Sequence, residues 1–210
     1  MPQRLLIRPN EIAMRRVSLL LLFICALGAG FAWRDRSIDR PPGILAPDEP
    51  RQQALDAAAP TFRKDRYEIK ALAEFTLEAR VLGRENYRFD AGADLAPVDL
   101  ALGWGPMSDS AVLAEIAIHQ RHRFYYWLTV TFPIPRRDIE THSANMHLIP
   151  ASRAVADRLK SARPGHIVNL SGYLVEAHHD DGRRWRSSLT REDTGDGACE
   201  LVWVETVTLR

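Results

Sequence analysis

The most pronounced pattern in the chain is a run of uncharged, mostly apolar residues at positions 17–33, between Arg16 and Arg34. At 1.5 Å per residue, a helix over this run is at the short limit for crossing a hydrocarbon core of about 30 Å. We therefore predict a transmembrane anchor at residues 17–33, preceded by a cytoplasmic segment at residues 1–16. A cleaved secretory signal that begins at Met1 or Met14 is the alternative, because signal peptides also place a basic segment before an apolar one.

The charges that flank this run do not orient it by themselves. Four arginines precede the run within residues 1–16, and four follow it between residues 34 and 51. The positive-inside rule therefore gives no bias. The order of a basic segment followed by an apolar one is nevertheless typical of exported proteins. It favours an N-terminus inside the cytoplasm and a C-terminal domain outside it.

A proline-rich segment follows the apolar run. Five prolines lie between residues 41 and 60, and they disfavour regular helix and sheet. We expect residues 34–60 to form a tether, in which Ile44 and Leu45 could dock onto the domain. Residues 61–210 are long enough for one soluble domain with its own core.

The pattern of residues 61–210 is mainly that of β-structure. Residues 75–81 (FTLEARV) alternate between apolar and polar side chains, which predicts a half-buried strand. Asp181-Gly182 is a favoured two-residue hairpin turn between two strands. Further strands are expected at residues 115–120, 123–131, 166–177, 184–189 and 199–209.

Helices are fewer. Ser152 can cap a helix that ends before Pro164, and Ser108 or Asp109 can cap a shorter turn. Residues 97–102, followed by Gly103, indicate a short helix with a glycine stop. The fold class predicted is mainly β (α+β), as a small OB-like open barrel or a twisted antiparallel sheet with one good helix, preceded by the transmembrane helix.

Charge and cysteine content narrow the function classes. The chain holds 28 basic and 27 acidic side chains, and its first 60 residues hold eight and six of them. The domain at 61–210 is thus close to neutral, which argues against a general nucleic-acid binder. The two cysteines, Cys25 and Cys199, are placed too differently to pair, so we expect no disulfide within the domain.

Two groups of residues are candidates for metal binding, and neither has the right spacing. His142 and His147 are five residues apart, whereas zinc ligands on one helix are four apart and on one strand two apart. Cys199 could be a third ligand. In the loop 193–197 (DTGDG), Asp193 and Asp196 are three residues apart, unlike the alternating acids of a calcium loop. We therefore expect no metal and no cofactor.

Cys199 is also a candidate nucleophile, with one of the seven histidines as its base. It belongs, however, to the alternating segment 198–204, in which a cysteine usually serves as a small core residue. No catalytic residue is assigned. The aromatic segment 124–127 (FYYW) is expected to serve the core or a domain contact rather than a ligand.

The C-terminal hairpin carries the best candidates for binding. Arginines alternate there with a tryptophan, so one set must face outward, and an aromatic anchor among arginines is typical of contact surfaces. Since surface substitutions cost little, reversing the charges of both arginines should leave the melting temperature nearly unchanged. The candidate ligand- or partner-binding residues are Tyr173, Arg184, Trp185, Arg186, Asp193 and Asp196.

Several stretches resemble a family of bacterial membrane-anchored or secreted proteins of unassigned function. They are residues 41–47 (PPGILAP), 99–109 (DLALGWGPMSD), 142–151 (HSANMHLIPA) and 185–200 (WRSSLTREDTGDGACE). The resemblance implies a bacterial exported protein but no activity. In addition, residues 166–204 are similar in pattern to part of an OB-fold, with a long strand, a hairpin and a closing strand.

These observations lead to a single-pass protein of the bacterial inner membrane, with a β-rich domain in the periplasm. A periplasmic protein released after signal cleavage is the alternative. We expect a binding or scaffold module with a protein partner or a small ligand. The rival functions are a hydrolase that uses Cys199 or a His142/His147 metal site, and an accessory subunit of a membrane complex.

Overall fold

The alternating segment found in the sequence belongs to the longest strand of the protein. The computed structural model describes residues 17–23, 25, 36–55, 58–190 and 199–210. From residue 36 on, the described residues form ten strands, three short α-helices and one 3-10 helix, so the expectation of a mainly β domain is confirmed. The strands are β1 (Arg51–Gln53), β2 (Thr61–Lys64), β3 (Tyr67–Asn86), β4 (Val98–Gly103), β5 (Ala117–Arg121), β6 (Phe124–Leu128), β7 (Ser143–Pro150), β8 (Ile167–His179), β9 (Arg184–Arg186) and β10 (Glu200–Leu209).

The helices are short, and polar side chains cap the N-termini of two of them. Ser152 accepts a hydrogen bond from the Val155 N–H, which confirms the cap predicted there. Asp109 accepts in the same way from Ala111. The helices are α1 (Ser110–Leu113), α2 (Arg136–Thr141) and α3 (Arg153–Lys160), and the 3-10 helix is Gly105–Ser108.

Eight strands form one mixed sheet, and five of them pair in a closed ring. Strand β3 pairs with β4, β4 with β7, β7 with β10, β10 with β8, and β8 again with β3. The β7–β10 pair is parallel and the other four are antiparallel. Strands β1 and β2 extend the sheet along β3, and β9 extends it along β8. Strands β5 and β6 form a separate hairpin.

The ring encloses the main hydrophobic core. Alternate residues of its strands point to the same side, so Phe75, Leu100, Leu148 and Val202 all belong to one buried cluster. Helix α3 adds to this cluster. A second cluster lies on the opposite strand faces and includes Trp203 and other residues of β3, β8 and β10. The strands are therefore covered on both faces over much of their length.

The short helix predicted at 97–102 is wrong, because these residues belong to strand β4. All six residues of β4 are buried, on both faces of the strand. A strand covered on both sides loses the alternation of polar and apolar residues that identifies a strand in the sequence. The polar residue in it, Asp99, is 0% exposed and is taken up by a buried cluster described below.

The described part of the proline-rich segment lies against the domain rather than apart from it. Ala46 is fully buried, and its N–H donates to the Ser108 Oγ over 3.1 Å. Its carbonyl accepts the Gly105 N–H over 2.8 Å. Strand β1, which lies within the segment, pairs with β3. Residues 37–210 accordingly form one compact unit.

The N-terminal unit can be described only in part. Residues 17–23 and 25 are helical, and their side chains are exposed. The rest of the anchor predicted at 17–33, and the whole segment predicted at 1–16, lie outside the described residues. Within the described residues, no helix is both long and apolar enough to span a bilayer.

The ring depends on one glycine in β8. Gly172 pairs with Val204 beside a bulge in β10, and a Cβ on Gly172 would lie 1.9 Å from the Trp203 carbonyl oxygen. Gly172→Ala should therefore lower the free energy of unfolding by about 2 kcal/mol or more. Urea denaturation followed by tryptophan fluorescence measures this change. The neighbouring Ser171→Ala, which loses only a surface hydrogen bond to Thr206, is the matched control. Equal stability of both variants would contradict the role of Gly172.

Candidate functional site

The C-terminal hairpin separates the predicted binding residues onto two faces. The hairpin turns where it was predicted to, but over three residues, 180–182, rather than two, since the His179 N–H donates to the Arg183 carbonyl over 2.9 Å. Gly182 has a φ of +90°. In β9, Arg184 and Arg186 are exposed, whereas Trp185 between them is half-buried. The arginines and the tryptophan therefore face different surroundings.

The two arginines hold the carboxylate of Glu176. Arg184 forms a short ion pair with Glu176, and Arg186 lies 3.3 Å from it. His178 lies 3.4 Å from the same carboxylate, whose side chain is only 10% exposed. Burial raises the pKa of Glu176, but hydrogen bonds from Arg184, His178 and Arg186 outweigh it, so the pKa falls below its ordinary value. Replacing both arginines with acidic residues would surround Glu176 with like charge. The expectation of an unchanged melting temperature therefore no longer holds.

Trp185 and Tyr173 lie on the other face, against the second hydrophobic cluster. The Tyr173 ring is 5.6 Å from that of Phe62, which stacks on Trp203 at 4.6 Å. The Trp185 ring is 4.7 Å from the imidazole of His147. The structure thus brings Tyr173 and Trp185 into one packed cluster, away from the paired arginines. Asp193 and Asp196 lie outside the described residues.

A buried polar cluster is centred on Arg123, which the sequence did not indicate. The Arg123 guanidinium donates two hydrogen bonds to Asp90, at 2.7 and 2.8 Å. It also donates to the Ala96 carbonyl at 2.9 Å and to Asp99 at 3.1 Å. The guanidinium lies over the Tyr87 ring, 3.9 Å from its centroid. The hydrogen bond from Arg123 lowers the pKa of Asp90, and burial raises that of Tyr87 to about 12.

His147 belongs to the same cluster. Its Nδ1 lies 2.9 Å from the Asp99 carboxylate. The two atoms are close, but among the described residues Nδ1 has no hydrogen-bond partner. The Asn145 side chain donates to the Arg123 carbonyl over 2.9 Å. The cluster therefore ties strands β4 and β7 to the hairpin that carries Arg123.

That hairpin, β5–β6, covers the outward face of β4 and β7. The Tyr125 and Ser143 hydroxyls are 2.7 Å apart, and Gln120 donates to Asn145 over 2.7 Å. Burial raises the pKa of Tyr125 to about 12. Trp127 packs with a third hydrophobic cluster between the hairpin and the helices. One side of the hairpin is thus a genuine domain contact, as predicted for the aromatic segment.

The other side of β6 is exposed and apolar. Alternate residues of β6 from 124 to 128 point to solvent, and Val130, beyond the strand, is fully exposed. Phe132 is half-exposed, with its ring 6.1 Å from that of Trp127. Across the hairpin, Arg121 pairs with Phe124, and His119 pairs with Tyr126. The sequence interpretation missed this side, although the alternation that reveals it continues beyond the aromatic segment. We define the hairpin face as Phe124, Tyr126, Leu128, Val130 and Phe132.

The residues considered for catalysis have different surroundings. The His142 Nδ1 bonds to the Asp138 carbonyl over 2.9 Å, whereas His147 belongs to the Arg123 cluster. Cys199 is half-buried and precedes β10 rather than lying within it. In the part of the chain that the structure describes, no three His, Cys, Asp or Glu side chains form a group able to hold a metal ion.

The charge cluster at Glu176 predicts a pH dependence. Because its folded-state pKa is depressed below 4.5, Glu176 stabilises the fold above that pH, and the stabilisation is lost as the pH falls through the depressed value. Glu176→Gln should therefore be less stable than wild type near neutral pH, and the difference should vanish in acid. Thermal denaturation across this pH range measures it. Glu74→Gln, at an exposed position of β3, is the control. A difference that persists in acid would contradict this account.

The buried pair of Arg123 and Asp99 predicts a large coupling. Removing a partner from a buried carboxylate is costly, so Arg123→Gln should lower the free energy of unfolding by about 3 kcal/mol. Combined with Asp99→Asn, it should cost at least about 1 kcal/mol less than the two single changes added together. Urea denaturation of the four proteins completes the cycle. Arg136→Gln, which breaks the exposed pair with Glu140, should cost under about 1 kcal/mol. Strict additivity would show that the buried pair is not coupled.

Comparison with known proteins found no relative of this chain. No protein-family model matches the chain, and neither the curated proteins nor the solved structures contain a significant match.

Proposed function

We propose that the domain is an OB-like barrel that acts as a binding module at a membrane surface. The closed ring β3–β4–β7–β10–β8, with its parallel β7–β10 pair, supports an OB-like assignment. OB-folds bind ligands on the face of their second and third strands, which correspond here to β4 and β7. In this protein the β5–β6 hairpin contacts that face. We therefore place the contact surface on the hairpin face instead of on β4 and β7.

The exposed apolar stripe is the observation that carries this proposal. Contiguous exposed apolar side chains mark interaction sites in soluble domains. Aromatic residues are enriched where proteins meet the membrane interface. Phe89, which is also fully exposed, lies in the loop that Asp90 ties to Arg123 at the hairpin turn. The apolar surface is therefore placed at both the turn and the strand of the hairpin.

The charge around the stripe favours an anionic membrane as the occupant. Residues 116–137 contain four arginines and two histidines but no acidic residue. Two of these arginines, Arg123 and Arg136, pair with carboxylates elsewhere, and Arg121 is exposed beside Phe124. A basic residue near an anionic leaflet contributes about 1 kcal/mol of attraction. Apolar insertion and this attraction act together at membrane surfaces. The hairpin face has exposed apolar side chains for insertion and a basic residue beside them for this attraction.

This placement agrees with the predicted topology. We propose that residues 17–33 anchor the chain in the bacterial inner membrane, with the domain in the periplasm. The anchor would keep the domain near lipid, and the hairpin face would orient it. We place the binding site on β5–β6 rather than on the C-terminal hairpin, because Arg184 and Arg186 form ion pairs with Glu176.

A site-specific fluorophore tests the docking. The full chain, with Cys25→Ala, Cys199→Ala and Val130→Cys, is labelled with an environment-sensitive dye and reconstituted into vesicles. We expect a blue-shifted emission, quenched by spin-labelled lipid, in phosphatidylcholine vesicles that contain phosphatidylglycerol. High salt should weaken it, because exposed charges are screened. A label at Thr76→Cys, on β3 outside the hairpin, should stay in water.

Two sets of variants make the test specific. Phe124→Ser with Tyr126→Ser should abolish the shift by removing apolar contacts, and Arg121→Glu should weaken it by removing attraction. Arg63→Glu, at an exposed position of β2, should leave the shift unchanged. A label that stays in water in anionic vesicles would overturn the proposal. A blue shift that appears only when a protein is added, and not with lipid alone, would also overturn the proposal, because it would assign the face to a protein partner.

A further inference from the structure

A cleft of about 350 Å³ lies at one end of β3. Its walls come from residues 37–40, strands β3 and β5, helix α1 and the loop before β8. Such a volume is typical of sites for small organic molecules. The cleft is distinct from the hairpin face and does not depend on membrane docking.

One wall is fixed by a glycine that allows two chain segments to meet. Gly165 has a φ of +90°, and a Cβ there would lie 2.1 Å from the Ile38 carbonyl oxygen. The Ile38 N–H donates to the Pro164 carbonyl over 2.8 Å, and the Gly165 N–H donates to Val81 over 2.8 Å. The segment 37–40 is therefore held over the loop, so the wall it forms is part of the fold.

A nearly buried arginine lines the cleft. Arg80 is 9% exposed, and its Nη1 donates to the Ser108 carbonyl over 3.1 Å and to the Ser110 Oγ over 2.6 Å. Within the described residues, its Nε and Nη2 have no hydrogen-bond partner. An arginine offers five N–H donors. Several of them are thus left for a group in the cleft.

A second guanidinium lines the same cleft. Arg40 donates from Nε to the Gly165 carbonyl over 2.8 Å and from Nη2 to the Arg210 carbonyl over 2.5 Å. Among the described residues, no side-chain carboxylate forms an ion pair with Arg40 or Arg80. Burial, and then the charge of Arg40, lower the pKa of Arg80, which Asp109 offsets in part. The cleft therefore holds two guanidinium groups against the one carboxylate of Asp39, an excess of positive charge.

Besides the two arginines, the lining combines apolar side chains with polar ones, among them one acidic side chain. Leu113, Ile116 and Ile118 supply apolar surface from α1, β5 and the loop between them. Asp39, which is exposed, is the carboxylate on the lining. We propose that the cleft binds a small amphiphilic anion, namely a carboxylate or phosphate monoester that carries a short apolar group. The anionic head would bind between Arg40 and Arg80, and the apolar group would lie against the isoleucines.

Calorimetric titration of the full chain in phosphatidylcholine nanodiscs tests this binding. Hexyl phosphate and hexanoate should bind, inorganic phosphate should bind more weakly because it leaves the apolar lining unfilled, and neutral hexanol should not bind. No binding of hexyl phosphate at millimolar concentration would overturn the proposal. Equal binding of hexanol would overturn it as well.

Three variants separate a binding role from a structural one. Arg40→Gln should weaken hexyl phosphate binding about tenfold, by the loss of a charge-assisted contact. Asp39→Asn should strengthen it a few-fold, because it removes a like charge, and a structural role does not predict a gain. Arg63→Gln, outside the cleft, is the matched control. Unchanged affinity in both cleft variants would overturn the proposal.

The same titration in nanodiscs that contain phosphatidic acid identifies the source of the anion. Loss of hexyl phosphate binding there would assign the cleft to a lipid headgroup. Retained binding would assign it to a soluble anion. Either result supports the shared chemistry, whereas failure of membrane docking by the hairpin would leave this binding unchanged.

Discussion

Strand β3 pairs along both of its edges, and the rest of the structure depends on that arrangement. Over its 20 residues, one edge pairs with β8 and the other with β1, β2 and β4. A single strand can serve so many partners only if it is long and bends at bulges, which occur opposite both β4 and β8. Its inward residues then fill the ring, and its far end presents Arg80 to the cleft.

Arg123 has a comparable role for the part of the molecule outside the ring. It occupies a turn position with a φ of +69°, next to His122 at +52°, conformations that non-glycine residues adopt at a cost of about 1 kcal/mol or more each. Its contacts with Asp90, Asp99 and the Tyr87 ring offset that cost. Because one side of the hairpin is fixed in this way, the alternation of the strand obliges the other side to face solvent.

The sequence predicted the elements that depend on local rules. The alternation at 75–81, the Ser152 cap and the Asp181-Gly182 turn are each encoded by neighbouring residues, and all three are found in the structure, the turn with one residue more than predicted. The sequence of strand β4 instead indicates a helix, because burial on both faces erases the alternation typical of a strand. The partners of Arg123 and the walls of the cleft lie far apart in sequence. No spacing rule connects them, so only the tertiary fold brings them together.

The parallel β7–β10 pair has a consequence for synthesis of the chain. Strand β10, the last strand of the ring in chain order, supplies the neighbour for one edge of β7 and one edge of β8. A nascent chain that has not yet produced residues 200–209 presents both edges without those partners, and such edges invite pairing with other chains. Quality control by chaperones and proteases would therefore act on this protein chiefly before its last strand has joined the ring.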